Sequence, residues 1–152
     1  MADAVLMSLS EIESLATSAL QRAGASEQAA RSLAAGIAGA ERDGIASHGL
    51  AYLPTYCEHL GCGKVVKTAV PVVTRPAPGI VSVDAASGFA HPAIDAGFAD
   101  LIPLARAQGI AALSVRNSYN CGVLGYHTER LASAGLVGLG FTNAPASIAA
   151  SG

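Results

Sequence analysis

Residues 110–143 read IAALSVRNSYNCGVLGYHTERLASAGLVGLGFTN, and the fold turns on how this stretch is divided. IAALSV at 110–115 is a short apolar run with β-branched residues, which reads as a strand. VLGYHTERLASA at 123–134 has helical periodicity, and LVGLGFTN at 136–143, between Gly135 and Pro145, reads as a second strand. Upstream, VPVVT at 70–74 and IVSVDA at 80–85 read as strands and 91–108 as a helix. Strand, helix, strand, helix, strand is the order of an α/β fold built from parallel βαβ units with both faces of the sheet covered. Ligands of such folds sit beyond the carboxyl ends of the strands. Two strand ends here are polar, Arg116-Asn117-Ser118 and Thr142-Asn143, and together they nominate one cleft.

Before residue 63 the pattern is helical. Ser8-Leu9-Ser10-Glu11 has the form of a capping box, and Ile12, Leu15, Ala16, Ala19, Leu20 and Ala23 follow at helical spacing up to Gly24. Ser26 caps a second helix with a stripe of Ala30, Leu33, Ala34, Ile37 and Ala38 that ends at Gly44. Its small residues allow a neighbour to approach closely. A third helix runs to Gly61, with Pro54 either in its first turn or kinking it. Residues 1–62 are therefore read as a helical region, and 63–152 as the first part of an α/β region. That second region has no closing helix after its last strand, so an incomplete subunit is expected.

The chain has 152 residues, room for one domain with a core but not two full ones. Hydrophobic residues make up 51% and charged residues 13%, with mean hydropathy +0.44, so part of this surface is expected to be covered by other protein. No window has about 18 uninterrupted apolar residues, which argues against a membrane span. The start MADAVLMSLSEIE lacks a basic leader, and a cytoplasmic location is expected. A net charge of −2 without a Lys/Arg cluster argues against nucleic acid and anionic membranes, leaving small molecules and protein partners. Cys57, Cys62 and Cys121 read as reduced, mostly buried thiols. Cys57, His59 and Cys62 lack a fourth ligand at zinc spacing, so no metal is expected.

The glycine-rich dinucleotide fingerprint, the P-loop, the GxSxG elbow and HExxH are all missing from the sequence. Ser47-His48-Gly49 is the most suggestive element, because an imidazole can exchange protons near neutral pH and a neighbouring serine can orient it. Gly44 and Gly49 leave room for a ligand. On the residues alone, a helix-junction histidine satisfied by backbone is the simpler reading. Asn117, Ser118 and Asn120 can bond a carboxamide, ribose or phosphate at a helix N-terminus, or can serve as ordinary turn caps. His59, His91 and His127 read as solvated or locally bonded, and Glu129 and Arg130 as a solvated face.

The blocks SEIESLATSAL, DGIASHGLAYLPTY, VDAASGFAHPA, GIAALSVRNSYNCGVLGY and GLVGLGFTNAPASIA, in this order and spacing, resemble the malate/L-lactate dehydrogenase family of the non-Rossmann type. The resemblance spans nearly the whole chain. It implies an NAD(P)-dependent homodimeric oxidoreductase, with NADP or NAD as cofactor, interconverting a 2-hydroxy acid and a 2-oxo acid on a mixed-sheet fold. His48 falls on the family's proton-transferring histidine and Ser47 beside it would support it. Asn117, Ser118, Asn120, Thr142, Asn143 and Ala144 fall on blocks that line the cofactor, and Tyr52 and Tyr119 on positions facing substrate.

Three residues depart from the family pattern: Tyr52 stands where many members carry Arg, Asn120 where a histidine is common, and Ala144 where serine is usual. Tyrosine can bond a carboxylate oxygen but brings no charge. The wording SYNCGVLGYHTERLA is most similar to the (R)-sulfolactate dehydrogenase branch, which implies NADP and a sulfonated substrate. Members are about twice as long, so this chain alone is expected to bind cofactor poorly. The competing expectation is a non-catalytic interaction module, or an inactive fragment, with an apolar interface and a structural His48.

Overall fold

A computed structural model describes residues 5–144. Helix α1 (Leu9–Arg22) begins at a complete capping box: Ser8 accepts from the Glu11 amide, and the Glu11 carboxylate accepts from the Ser8 amide at 2.7 Å. Ser8→Ala is expected to cost about 1 kcal/mol, measurable as a lower urea midpoint with an unchanged m-value. Helix α2 (Glu27–Arg42), capped by Ser26, packs antiparallel on α1 through Ile12, Ala16, Leu20, Leu33 and Ile37. Gly24, at φ +103°, makes the reversal between them.

Two consecutive 3-10 turns (Ala46–His48 and Leu50–Tyr52) lead into α3 (Leu53–Gly61), with Pro54 in its first turn, where its missing N–H costs nothing. Tyr56 and Leu60 of α3 are fully buried in the helical cluster, which Val65 and Phe89 complete.

Strands β1 (Val72–Ala77), β2 (Ile80–Asp84) and β3 (Ala112–Arg116) form a mixed sheet in the order β1-β2-β3. The first pair is antiparallel and the second parallel, joined by the crossover helix α4 (Ala90–Gln108). Pro76 falls where the β1 register slips between Thr74 and Ala77, on an edge strand, the place in a sheet that tolerates proline. Val81 and Val83 of β2 point at Ala93, Ile94, Phe98 and Leu101 of α4, forming a second apolar cluster. Gly109, in the left-handed region at φ +83°, ends α4. Helix α5 (Leu124–Ser133) then lies against α2.

The small residues of α2 act as the pattern predicts. A Cβ on Gly36 would come within 2.6 Å of His91, and one on Gly39 within 2.8 Å of Tyr126, so α4 and α5 reach the α2 backbone through these rings.

Several expectations are corrected. Residues 136–143 form no strand: Gly138 and Gly140 lie against Leu131, Thr128 and Leu124 of α5, and Val137, Leu139 and Phe141 are almost fully exposed. An extended segment becomes a strand only when a neighbour pairs its amides, and this one pairs with none of the three described strands. Among the described residues the sheet accordingly contains one parallel βαβ unit, covered on one face by α4, rather than several covered on both.

His91 is buried rather than solvated, whereas His127, also buried, is locally bonded as expected through Nε2 to the Cys121 carbonyl; Nδ1 of each has no partner among the described residues. Glu129 is exposed, as expected of a solvated face, and pairs with Arg42; Arg130 instead is half-buried, binding Asp95 at 2.7 Å while its guanidinium lies over Phe98 and Tyr126. Of the cysteines, Cys62 is exposed and the other two half-buried; all three are free thiols. No helix among the described residues is long and apolar enough to cross a membrane. Residues 145–152, the end of the family-like block, lie outside the described residues.

Candidate active site

The Ser47-His48-Gly49 step exists because α2 must hand over to α3 through a sharp turn. Glu41, in the last turn of α2, reaches forward and accepts from the Leu50 amide at 2.6 Å, holding the second 3-10 turn. Its carboxylate lies where a Cβ on residue 49 would be, so glycine there lets Glu41 keep this bond, and a larger residue would displace the carboxylate. Gly44, at φ +71°, has open space beside it. His48 is left half-buried on the outside of the turn. Ser47 Oγ is 3.1 Å from its Nδ1, and its ring stacks on Tyr52 at 6.4 Å between centroids.

Tyr52 extends the site into the aromatic interior. Its ring meets Tyr56 edge-on at 4.8 Å, and its hydroxyl lies 3.5 Å from that of Tyr119, which arrives from the loop after β3. Tyr119 is further hydrogen-bonded to His59 Nδ1 and packs edge-on against Tyr56 and Phe89. Burial raises the Tyr119 hydroxyl well above the ordinary phenol range, with the Tyr52 contact adding to it, and burial does the same to Tyr56. Both tyrosines stay protonated in any physiological buffer.

The loop after β3 is tied to the turn after β2. The Asn117 amide donates to both oxygens of Asp84 at 3.1 Å; Asp84 also accepts from the Ala86 amide at 2.9 Å and pairs with Arg116. The Ala86 bond first, then Asn117 and Arg116, hold the Asp84 carboxyl below its usual range. The Ser87 amide donates to the Asn117 carbonyl and the Tyr119 amide to that of Gly88. Ala86, Ser87 and Asn117 all have positive φ, at 51°, 59° and 51°, a strained conformation these cross-bonds maintain.

Asn120 Oδ1 accepts from the Gly122 amide at 2.6 Å, closing a turn ahead of α5. Thr142 Oγ1 donates to the Asn143 carbonyl and lies 4.0 Å from Cys121 Sγ. The side chains of Ser118 and Asn143 have no hydrogen-bond partner among the described residues, and both residues, like Ala144, are exposed.

The structure thus brings Ser47, His48, Tyr52 and Tyr119 together and places Thr142 beside the Asn120–Gly122 turn. The amides of Asn117 and Asn120 are bonded within the chain. Beneath this turn His91 and His127 face each other at 5.2 Å, and His127 Nε2 bonds the Cys121 carbonyl at 2.8 Å. Burial above all, then the neighbouring His127 and Arg130, push His91 down to about 3; burial also lowers His127.

Sequence reading missed His59 and Asp84. His59 was signalled by its spacing, since Tyr52, Tyr56 and His59 share one face of a helix. Among the described residues, no group of three or more His, Cys, Asp or Glu could hold a metal ion, and the concave regions lie elsewhere, between Ala25–Ala29 and Val66–Pro71.

This arrangement can be compared with known proteins. The chain is 44% identical, over 95% of its length, to the (2R)-3-sulfolactate dehydrogenase (NADP(+)) of Chromohalobacter salexigens, and spans 43% of that protein. It is 42% identical, over 91% of its length, to a Delta(1)-pyrroline-2-carboxylate/Delta(1)-piperideine-2-carboxylate reductase of Pseudomonas putida, covering 41% of it. The chain therefore spans less than half the length of these relatives. Its fold matches the crystal structure of malate dehydrogenase from Entamoeba histolytica with a TM-score of 0.81 at 26% identity, over 88% of this chain and 37% of that one. The family model for malate/L-lactate dehydrogenase matches residues 7–152, and the chain belongs to that family.

Proposed function

We propose that this chain works within a nicotinamide-dependent oxidoreductase that interconverts a 2-hydroxy acid and a 2-oxo acid, with His48 as the general acid and base. The observation that carries this reading is the Ser47–His48–Tyr52 grouping: an accessible imidazole with one nitrogen held by a hydroxyl, beside a phenol able to bond an acid group. With Nδ1 held by Ser47, Nε2 is the nitrogen that meets substrate. In reduction Nε2–H gives its proton to the carbonyl oxygen as hydride reaches C2. In oxidation the Nε2 lone pair removes the hydroxyl proton. Ser47 keeps the ring's orientation through both directions.

The polar groups fit one side of a dinucleotide. Ser118 and Asn143 offer side chains uncommitted among the described residues, Thr142 and Ala144 border them, and no side chain among those residues caps the start of α5. Asn117 and Asn120 contribute by shaping the loop. When bound, the nicotinamide supplies or accepts the hydride. NADP is favoured over NAD because the name of the Chromohalobacter relative specifies it.

Among acids, sulfolactate, malate and lactate are the candidates, and the 44% relative favours the first. The reductase from Pseudomonas putida supports a second reading, a cyclic imino acid whose ring nitrogen His48 would protonate. Val137, Leu139 and Phe141, at 96%, 79% and 87% exposure, support coverage by further protein, and we place the enzyme as a homodimer in the cytoplasm. Residues 1–62 and 63–152 remain our division into helical and α/β regions.

The test is the complete polypeptide assayed with sulfopyruvate, oxaloacetate, pyruvate and a cyclic imino acid, each with NADPH and NADH. Turnover of an open-chain 2-oxo acid at least about tenfold above the imine in kcat/KM is expected, about 1.4 kcal/mol of transition-state preference. Preference for the imine would select the second reading. Turnover of none would leave the non-catalytic module.

A further inference from the structure

Helix α3 carries a histidine that the proposed chemistry does not use. His59 Nδ1 is hydrogen-bonded to the Tyr119 hydroxyl, and that hydroxyl lies 3.5 Å from Tyr52, whose ring stacks beside His48. Two phenols therefore stand in series between two imidazoles. Each phenol has a single proton to donate, so the row can be ordered in only two senses. If Nδ1 accepts, Tyr119 donates to His59 and Tyr52 donates to Tyr119, which leaves only lone pairs at the outer end. If Nδ1–H donates, Tyr119 donates to Tyr52, and the Tyr52 O–H points outward beside His48.

A carboxylate only accepts hydrogen bonds, so it can dock on the second order and is repelled by the first. The Lys64 ammonium, 5.9 Å from the Tyr119 ring centroid, places positive potential on the same phenol and strengthens its hydroxyl as a donor in either order, so the choice between the two rests on the His59 ring.

We propose that His59 is a positioning residue for the substrate's acid group: its Nδ1–H orders the Tyr119–Tyr52 hydroxyl row so that Tyr52 donates to the carboxylate held next to His48. This rests on the reading of the site as one for 2-oxo and 2-hydroxy acids. His59 touches neither substrate nor cofactor and acts through the two tyrosines.

In the complete enzyme, His59→Leu is expected to raise KM for the 2-oxo acid by roughly tenfold, the scale of one hydrogen bond to a charged group, while kcat changes by less than about threefold. The methyl ester of the same acid, which has no carboxylate, should show an unchanged KM. His59→Asn, whose amide N–H can stand in for Nδ1–H, should restore most of the loss, and Tyr119→Phe should reproduce it without adding to it in the double variant. An equal KM rise for acid and ester, or a fall in kcat alone, overturns the proposal.

Long-range nitrogen–proton NMR of the His59 ring gives a readout independent of turnover. Protonation at Nδ1 is expected, reverting to Nε2 in Tyr119→Phe; a ring protonated only at Nε2 in the unmodified protein overturns the proposal. Should the unmodified enzyme turn over no acid, the functional reading fails separately, and the ring's protonation still decides whether His59 orders the row.

Discussion

Replacing His48 by alanine is expected to lower kcat of the complete enzyme by about 10²-fold or more, the usual cost of losing a positioned general acid, with little change in cofactor binding. The geometry limits the effect to chemistry. His48 is half-buried on a 3-10 turn that Glu41 holds through the Leu50 amide, so removing the imidazole leaves the turn intact. Ser47→Ala should cost less, because it frees the ring without removing the proton donor. Unchanged turnover in His48→Ala would return the histidine to a structural role and favour an interaction module.

Acidification is the second large effect. The unfolded chain takes up a proton on His91 near the ordinary value of 6.5, whereas the folded chain, with this ring buried against Gly36, His127 and the Gly122 turn, resists until about 3. The unfolded state therefore binds more protons throughout that window. Stability is full above pH 6.5 and drains as the pH falls towards 3.

The groups facing the ring reinforce this direction: His127 is also lowered by burial, and Arg130 opposes added positive charge even though Asp95 pairs with it. The slope of linkage gives about 2 kcal/mol lost to His91 between about pH 7 and about pH 5. Carboxylates held low, such as Asp84, contribute only at more acid values. Urea midpoints across this range measure the loss, and His91→Phe should flatten the curve; a slope unchanged in that variant would mean the ring titrates freely in the folded state.

Local signals were the legible ones. The Ser8–Glu11 capping box, the helix ending at residue 108 and the apolar stripe of α2 are each set within a few turns of chain, and each formed where the pattern placed it. LVGLGFTN misled because its alternation of apolar residues and glycine is strand-like, while a strand is decided by a partner supplying hydrogen bonds. The glycines instead let the segment lie close against α5.

In the candidate site, the SHG step was visible, but what Gly49 leaves room for is the Glu41 carboxylate, eight residues earlier. His59 was passed over because its partner, Tyr119, lies 60 residues away. The burial of His91 was hidden for the same reason: an imidazole on a helix looks solvated until Gly36 of the neighbouring helix is known to admit it. Family resemblance nominated the candidate site, and the pairing of its side chains came from the fold.

Reduction of the preferred 2-oxo acid by the complete enzyme with NADPH carrying deuterium at both C4 positions of the nicotinamide, followed by mass spectrometry of the product, is the most direct test of hydride transfer assisted by His48. The expected result is one deuterium, bound at C2 of the 2-hydroxy acid, formed by the unmodified enzyme and about 10²-fold more slowly by His48→Ala. Product lacking the label, or labelled product formed equally fast by both proteins, would contradict it.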